Sequence, residues 1–271
     1  MRNSKRIAKR LALWHASRVA KSEFLVEFFY LPAKAAPMPS IVFVSPKGGA
    51  GKTTSALVLA TQLAKRGTAV TIIDADPNHP VKLWAKSGAP ERLTIVSDVT
   101  EENIADQIEA AASKTPFVVV DLEGTAAAIV AYAISEADFV IIPTQGSQLD
   151  AEQASNALRL IRAHERGIQK HKLNYRLPYA VLFTRTSAAI TTRDTKYIRK
   201  TFEDAGIPYF QTELNERAAF KAMFSFRQPL ETLDPAEVSN IGKAIENAEA
   251  FTAEVIERIR SAKAEDKEKV A

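Results

Sequence analysis

Lys47, Gly48, Gly49, Ala50, Gly51, Lys52, Thr53 and Thr54 are spaced to hold a polyphosphate. Glycines let backbone N–H groups turn toward phosphate oxygens, Lys52 can reach the β- and γ-phosphates, and the Thr53 hydroxyl can ligate Mg²⁺. The general pattern Gly-x4-Gly-Lys-Ser/Thr is not met, because Pro46 stands where its first glycine belongs, and a second lysine, Lys47, precedes the glycines. Two further segments offer carboxylates: Asp74-Ala75-Asp76-Pro77-Asn78 after the apolar run at 70–73, and Asp121 closing Phe117-Val118-Val119-Val120. Carboxylates at strand ends stand where a parallel sheet places its ligands. An apolar strand ending in aspartate also has the form of a Walker B segment, whose carboxylate holds Mg²⁺. The four histidines, His15, His79, His164 and His171, have no metal-ligand spacing. No cysteine is present, which excludes disulfides, thiolate nucleophiles and Cys-ligated clusters.

These residues must be positioned by a scaffold, and the chain supplies one from Ile41 onward. Short apolar runs alternate with amphipathic stretches, the pattern of an α/β fold: three layers, a mostly parallel sheet flanked by helices on both faces. The expected strands cover 41–45, 69–74, 93–97, 117–121, 138–142, 178–184 and 207–210. The expected helices cover 53–66, 101–113, 126–136, 150–166, 191–205 and 235–262, with Gly67 as a left-handed cap of the first. No repeat or long linker divides this body, so residues 38–262 read as a single domain and 263–271 as a flexible, charged helix end.

With 271 residues and 46% hydrophobic content, the chain can bury a sizeable core. The net charge of +4 is unevenly placed: residues 1–37 hold eight Lys/Arg against two Glu, leaving 28 basic and 30 acidic residues in the body. The basic character therefore belongs to the extension. Two readings stand for it: a basic amphipathic arm, with Ile7, Leu11 and Trp14 at helical spacing, touching DNA or an anionic membrane; or a disordered or untranslated lead before a start at Met38. No apolar stretch reaches the roughly 18 residues of a bilayer span, so a soluble, cytoplasmic protein is expected. Nucleic-acid contact must come from a surface patch, because no reader motif is present. Arg193, Lys196, Arg199 and Lys200 fall on adjoining turns of one expected helix, and Arg217, Lys221 and Arg227 form a second basic group; either suits phosphates without base reading, and either is equally a solvated face.

The segment Lys47-Gly-Gly-Ala-Gly-Lys-Thr-Thr54 resembles the deviant phosphate loop of the ParA/MinD family of ATPases. The aspartates resemble that family's Asp-x-Asp-Pro segment and Walker B strand, and Phe139-Val-Ile-Ile-Pro143 its strand closed by proline. Asp76-Pro77-Asn78-His79-Pro80, Trp84 and Glu216-Arg217-Ala218-Ala219-Phe220 resemble ParA-like accessory proteins of T-DNA and conjugative transfer. The likeness covers scattered blocks of residues 39–260 and none of the first 37. It implies ATP/ADP and Mg²⁺ as cofactors. It further implies that Lys47 reaches a partner subunit's nucleotide, Asp76 positions water, and Asp74 and Asp121 support the metal with Thr53. The resemblance also implies that Pro143 lies toward the nucleotide pocket and dimer face, and that Arg185 lies where relatives approach the adenine. The implied protein dimerises on ATP, binds DNA nonspecifically near the nucleoid, and hydrolyses ATP slowly under stimulation by a centromere-binding partner to drive partition. An ATP-dependent recruiter for a DNA-processing or transfer complex is the alternative. A metabolic ligase of the same fold is disfavoured, because it would give Lys47 no role. Two departures stand out: Asn78 replaces the usual glutamine, and Leu122-Glu123-Gly124 follows Asp121 in place of the usual segment. The missing cysteines exclude Fe–S relatives such as the nitrogenase iron protein. The tail has no apolar face for membrane insertion, unlike the MinD-type C-terminal helix.

Overall fold

The computed structural model describes residues 39–124 and 127–270, without the side chains of 127, 148–151 and 266–270. The basic extension at 1–37 lies outside the described residues, so neither reading of it is addressed. The strands are β1 (Ser40–Phe43), β2 (Val70–Ala75), β3 (Leu93–Val96), β4 (Phe117–Leu122), β5 (Phe139–Thr144), β6 (Tyr179–Thr186) and β7 (Leu214–Asn215). They form one sheet in the order β3-β2-β4-β1-β5-β6-β7, and every pairing is parallel. The helices among the described residues are α1 (Lys52–Lys65), α2 (Pro80–Trp84), α3 (Ile104–Ala112), α4 (Ala127–Ser135), α5 (Gln148–Gln169), α6 (Arg193–Asp204), α7 (Ala218–Phe226) and α8 (Ile241–Val270).

Strands β1, β2, β4 and β5 are buried along their whole length, which is why they read as continuous apolar runs. One face of the sheet, with Val42, Val118, Val120 and Val140, packs on Ile104 and Ile108 of α3, Val130 and Ala133 of α4, and Ala157 and Ile161 of α5. The other face is covered by α1, which itself packs against α8. Helix α1 is thus enclosed between two layers, and most of its residues are buried. It ends as expected at Gly67 (φ +87°), whose N–H donates to Ala64 O while Thr68 N–H reaches Leu63 O.

Three expectations are corrected. The segment at 207–210 is not a ladder strand: it touches β6 only at the Val181–Tyr209 bridge, and β7 is Leu214–Asn215. Phe210 N–H and Pro208 O bond Val181 of β6, and α8 takes the backbone groups beyond that bridge. Glu254 accepts from Gln211 N–H (2.8 Å) and Thr212 N–H (2.7 Å), and Arg258 donates to Tyr209 O. Helices α2 and α7 fall where no helix is drawn from the sequence, since the first is five residues long and the second has no side-chain cap at Arg217. The last helix starts at Ile241 rather than 235, because Asp234–Val238 forms its own turn and Asn240 takes φ +56°. It runs through Val270, so the stretch from 263 to 270 is the end of this helix.

Candidate active site

Strand β1 lies at the switch point of the sheet, with β4 on one side and β5 on the other, and the chain leaving it forms the glycine-rich loop. Gly49 (φ +78°) and Gly51 (φ +91°) take left-handed conformations that open the turn, and Gly51 is also the N-cap of α1. A side chain at Gly51 would meet Thr184 at 3.3 Å. The loop is moored to the neighbouring strands: Gln145 Nε2 donates to Gly49 O (2.9 Å), and the Thr184 hydroxyl donates to Ala50 O (2.8 Å) with Thr144 O also near (3.2 Å). Gly48 and Gly49 are exposed, Ala50 is buried, and Thr53 and Thr54 are half-buried in the first turn of α1.

Lys52 is buried, and its ammonium donates to Ser45 O (3.0 Å) and Lys47 O (3.1 Å). Burial lowers its pKa, partly offset by the charges of Asp121, Asp76 and Glu123. The register sets Asp74 directly opposite Asp121 on adjacent strands, and both side chains are fully buried. Asp74 Oδ2 accepts from Lys82 N–H of α2 (2.8 Å), but Asp74 Oδ1 and both oxygens of Asp121 have no hydrogen bond of good geometry. Burial pushes the Asp121 carboxyl up to about 7 and Asp74 adds to this, while the nearby Thr53 hydroxyl and Lys52 favour the charged form. Asp74 is likewise raised by burial, against the pull of the Lys82 N–H. Buried carboxylates are ordinarily paired or bound to a metal, because an uncompensated charge in the interior is costly. Three under-satisfied carboxylate oxygens, those of Asp121 close to the Lys52 ammonium and to the Thr53 hydroxyl, fit a hard divalent cation. Asp76 sits above them, half-buried, accepting from Asn78 N–H (2.8 Å) and Asn78 Nδ2 (3.0 Å).

A cavity of about 300 Å³ opens beside the loop, lined by Gly51, Thr54, Thr184 and Arg185, by Asn215 to Arg217, and by Phe220, Lys221 and Phe224 of α7. Arg185 takes φ +53° at its rim. Pro143 is buried within β5, paired with Leu182. Arg217 and Lys221, which the sequence groups as a basic patch, line this cavity, and Lys221 pairs with Glu216 (2.6 Å). On α6, Arg193, Lys196 and Lys200 are exposed, whereas Arg199 is ion-paired with Glu213 and lies over the Phe183 ring (5.5 Å). The fold therefore gathers the loop residues, Asp74, Asp76, Asp121 and Arg185 at the finishing ends of the strands, and leaves Arg193, Lys196 and Lys200 exposed on α6. Sequence reasoning missed Gln145, the α7 phenylalanines and Gly124. A Cβ at Gly124 would approach Ser45 O (3.1 Å), Pro46 O (3.2 Å) and Lys52 Nζ (3.2 Å), so the unusual Glu123-Gly124 step brings backbone against the ammonium. The departure from the expected segment after Asp121 is the only sequence signal for it.

Comparisons with known proteins give the chain its family and agree with its fold. A family model described as VirC1 protein matches residues 38–256. The chain is 39% identical over 226 residues to a Rhizobium radiobacter "Protein ParA", covering 83% of this chain and 99% of that protein. It is 29% identical over 180 residues to the "Maintenance of carboxysome distribution protein A" of Halothiobacillus neapolitanus, covering 65% of this chain and 78% of the other. Among solved structures, a putative plasmid partition protein of Borrelia burgdorferi bound to AMPPNP superposes with a TM-score of 0.57 at 20% identity, over 80% of this chain and 99% of that one.

Proposed function

The chain belongs to the VirC1 family of ParA-type proteins, and from that premise we propose that it is a Mg²⁺-dependent ATPase that dimerises when ATP is bound. In that state it holds DNA without reading sequence, and hydrolysis releases the DNA, so that the cycle drives plasmid or chromosome partition. The observation that carries the reading is the set of partnerless oxygens on Asp74 and Asp121 beside the buried ammonium of Lys52. Lys52 and the loop N–H groups bind and neutralise the phosphates. Thr53 and Asp121 would hold Mg²⁺, with Asp74 in support, and the ion would supply charge neutralisation at the phosphates. Asp76, fixed by its bonds to Asn78, orients the attacking water. Lys47 acts across the dimer on the partner's nucleotide, so turnover is slow until dimerisation and a centromere-binding partner complete the site. The cavity between the loop and α7 takes the base and sugar, with Arg185, Arg217 and Lys221 at its wall. Of the basic residues on α6, Arg193, Lys196 and Lys200 are the ones exposed to meet DNA phosphates. The protein then works in the cytoplasm and on the nucleoid.

A second reading, an ATP-dependent recruiter that positions a transfer complex or other cargo, draws on the VirC1 match and on the carboxysome-distribution relative. The two share the nucleotide chemistry and differ in cargo. The test is the Asp76→Ala variant: ATP-dependent dimerisation should persist while phosphate release falls at least tenfold. Normal hydrolysis by this variant would remove the assigned role. A parent protein without Mg²⁺-dependent hydrolysis would end the ATPase reading.

A further inference from the structure

A single residue fixes the front of α6 to the body of the protein. Ser187 to Asp194 are all exposed, as are Lys196 and Tyr197, whereas Thr195 between them is buried. Thr195 sits against Gly146: a Cβ on that glycine would land on the Thr195 hydroxyl and lie 3.4 Å from the Thr195 Cβ. The hydroxyl is held in place, because it is bonded to the Thr192 hydroxyl (2.9 Å), and Thr192 Oγ1 also accepts from Thr195 N–H (3.1 Å) as the N-cap of α6. Gly146 directly follows Gln145, whose Nε2 donates to Gly49 O (2.9 Å) in the phosphate loop. Two adjacent residues therefore touch the loop with a side chain and α6 with a backbone. The covalent route from β6 into α6 runs instead through the exposed residues 187–192, where Ser187 Oγ accepts from Ala189 and Ile190 N–H within the same turn.

Resting on the reading of the loop as a nucleotide site, we propose that Gln145-Gly146 is a rigid link through which filling of the loop sets the order of the first turns of α6. The Gly49 carbonyl and the Ala50 N–H belong to one planar peptide, so an anion that takes the N–H also fixes the acceptor of Gln145. Without an anion that peptide leans on Gln145. With one it is held from both sides, and Gln145 and Gly146 stiffen with it. Gly146 then becomes a firm seat for Thr195, since close-packed contacts pass a displacement on rather than absorbing it. The effect belongs to the front of α6: farther along, Ile198 and Phe202 pack in the core and Arg199 pairs with Glu213. Such coupling is reciprocal, so ordering α6 from outside tightens the loop's hold on phosphate. What the loop controls is the part of α6 that presents Arg193, Lys196, Tyr197 and Lys200 to solvent.

The test uses the full chain and hydrogen–deuterium exchange of amides 195–200 and of the loop and its helix start, 50–55. Exchange is followed with and without Mg²⁺ and a non-hydrolysable ATP analogue, whose binding is titrated in parallel. In the parent, the analogue should slow exchange at 195–200 by about fivefold or more. Gln145→Glu keeps the shape but sets an acceptor against Gly49 O; it should still bind the analogue, and the response at 195–200 should be lost. Gly146→Ala drives a methyl into Thr195, so without nucleotide exchange should rise by about fivefold at both 195–200 and 50–55. G146A/T195A makes room for that methyl and keeps the cap bond to the backbone N–H of 195, so it should restore both stretches; a merely destabilising change at 146 would not be rescued by a second truncation. Should Gly146→Ala fail to fold, Gln145→Glu decides alone. The link is overturned if the parent binds the analogue with no change at 195–200, if Gln145→Glu keeps the full response, or if the Gly146→Ala effect never reaches 50–55. A parent that binds no analogue, with the Gly146→Ala effect present in both stretches and reversed in G146A/T195A, would strike the nucleotide reading and uphold the link.

Discussion

Two sets of buried acids in this molecule are treated in opposite ways. At the ends of β2 and β4, Asp74 and Asp121 lie side by side with three oxygens unbonded. On α8, Glu254 is also largely buried, yet it accepts from two backbone N–H groups and from Arg258, and that guanidinium in turn lies 4.8 Å from the Phe210 ring centroid. Burial raises the pKa of Asp121, with Asp74 adding to it; burial opposes Glu254 too, but its hydrogen bonds outweigh that and hold its pKa low. A satisfied buried carboxylate is part of the framework. An unsatisfied pair beside a phosphate-binding loop is a site that a ligand completes, and the fold carries its cost.

The contrast can be broken by substitution at either end. The largest effect is expected from Lys52→Ala, which removes the buried ammonium beside Asp121: nucleotide binding, followed by fluorescent ATP analogue titration, should fall below detection. Next, Asp121→Asn should abolish Mg²⁺-dependent hydrolysis yet raise the thermal midpoint of the nucleotide-free protein, because it removes a buried charge whose burial outweighs the help it gets from Lys52 and Thr53; a gain of about 1 to 2 kcal/mol is expected. A fall in that midpoint would mean the carboxylate is framework after all. Glu254→Gln should do the reverse, keeping hydrolysis at low temperature while costing about 2 kcal/mol of stability, or roughly 4 to 8 °C.

The same glutamate sharpens the comparison through pH. Its folded pKa lies below the ordinary 4.5, so the unfolded chain binds more protons in the window between the two values. The stabilisation is complete above about 4.5 and is lost as pH falls through the folded value. The melting difference between the parent and Glu254→Gln should therefore hold from neutral pH to about 5 and close below it. The smallest effect is expected from Thr184→Val, which removes the hydroxyl that moors Ala50 O: nucleotide affinity should weaken by about fivefold, with Thr184→Ser restoring it.

Much of this was legible in the order of residues. The apolar runs at β1, β2, β4 and β5 are continuous because both faces are covered, and the glycine pattern after β1 has no other simple reading in a strand-to-helix turn. What was illegible had non-local causes. The stretch at 207–210 has the composition of a strand, but Arg258 takes Tyr209 O and Glu254 takes the N–H groups of Gln211 and Thr212 that follow, both from more than 40 residues later, so its pairing with β6 stops at Val181. Arg199 belongs to the same sequence cluster as Lys196 and Lys200, yet Glu213 claims it. Arg217 and Lys221 read as surface charge and stand at the cavity wall. Gly124 is an ordinary loop glycine until Lys52 and the Ser45 carbonyl are brought against it.

The sequence by itself determined the parallel α/β class, the phosphate loop and the three aspartates, because each is encoded in a short window where residue type and spacing dictate local conformation. Tertiary structure alone decided which charges are spent and which remain available. It set Asp74 against Asp121, tied Arg199 to Glu213, and turned Glu165 inward to the Leu177 N–H. Pairing and burial depend on residues far apart in the chain, and the energy of a charge is set by what the fold brings within a few ångströms of it.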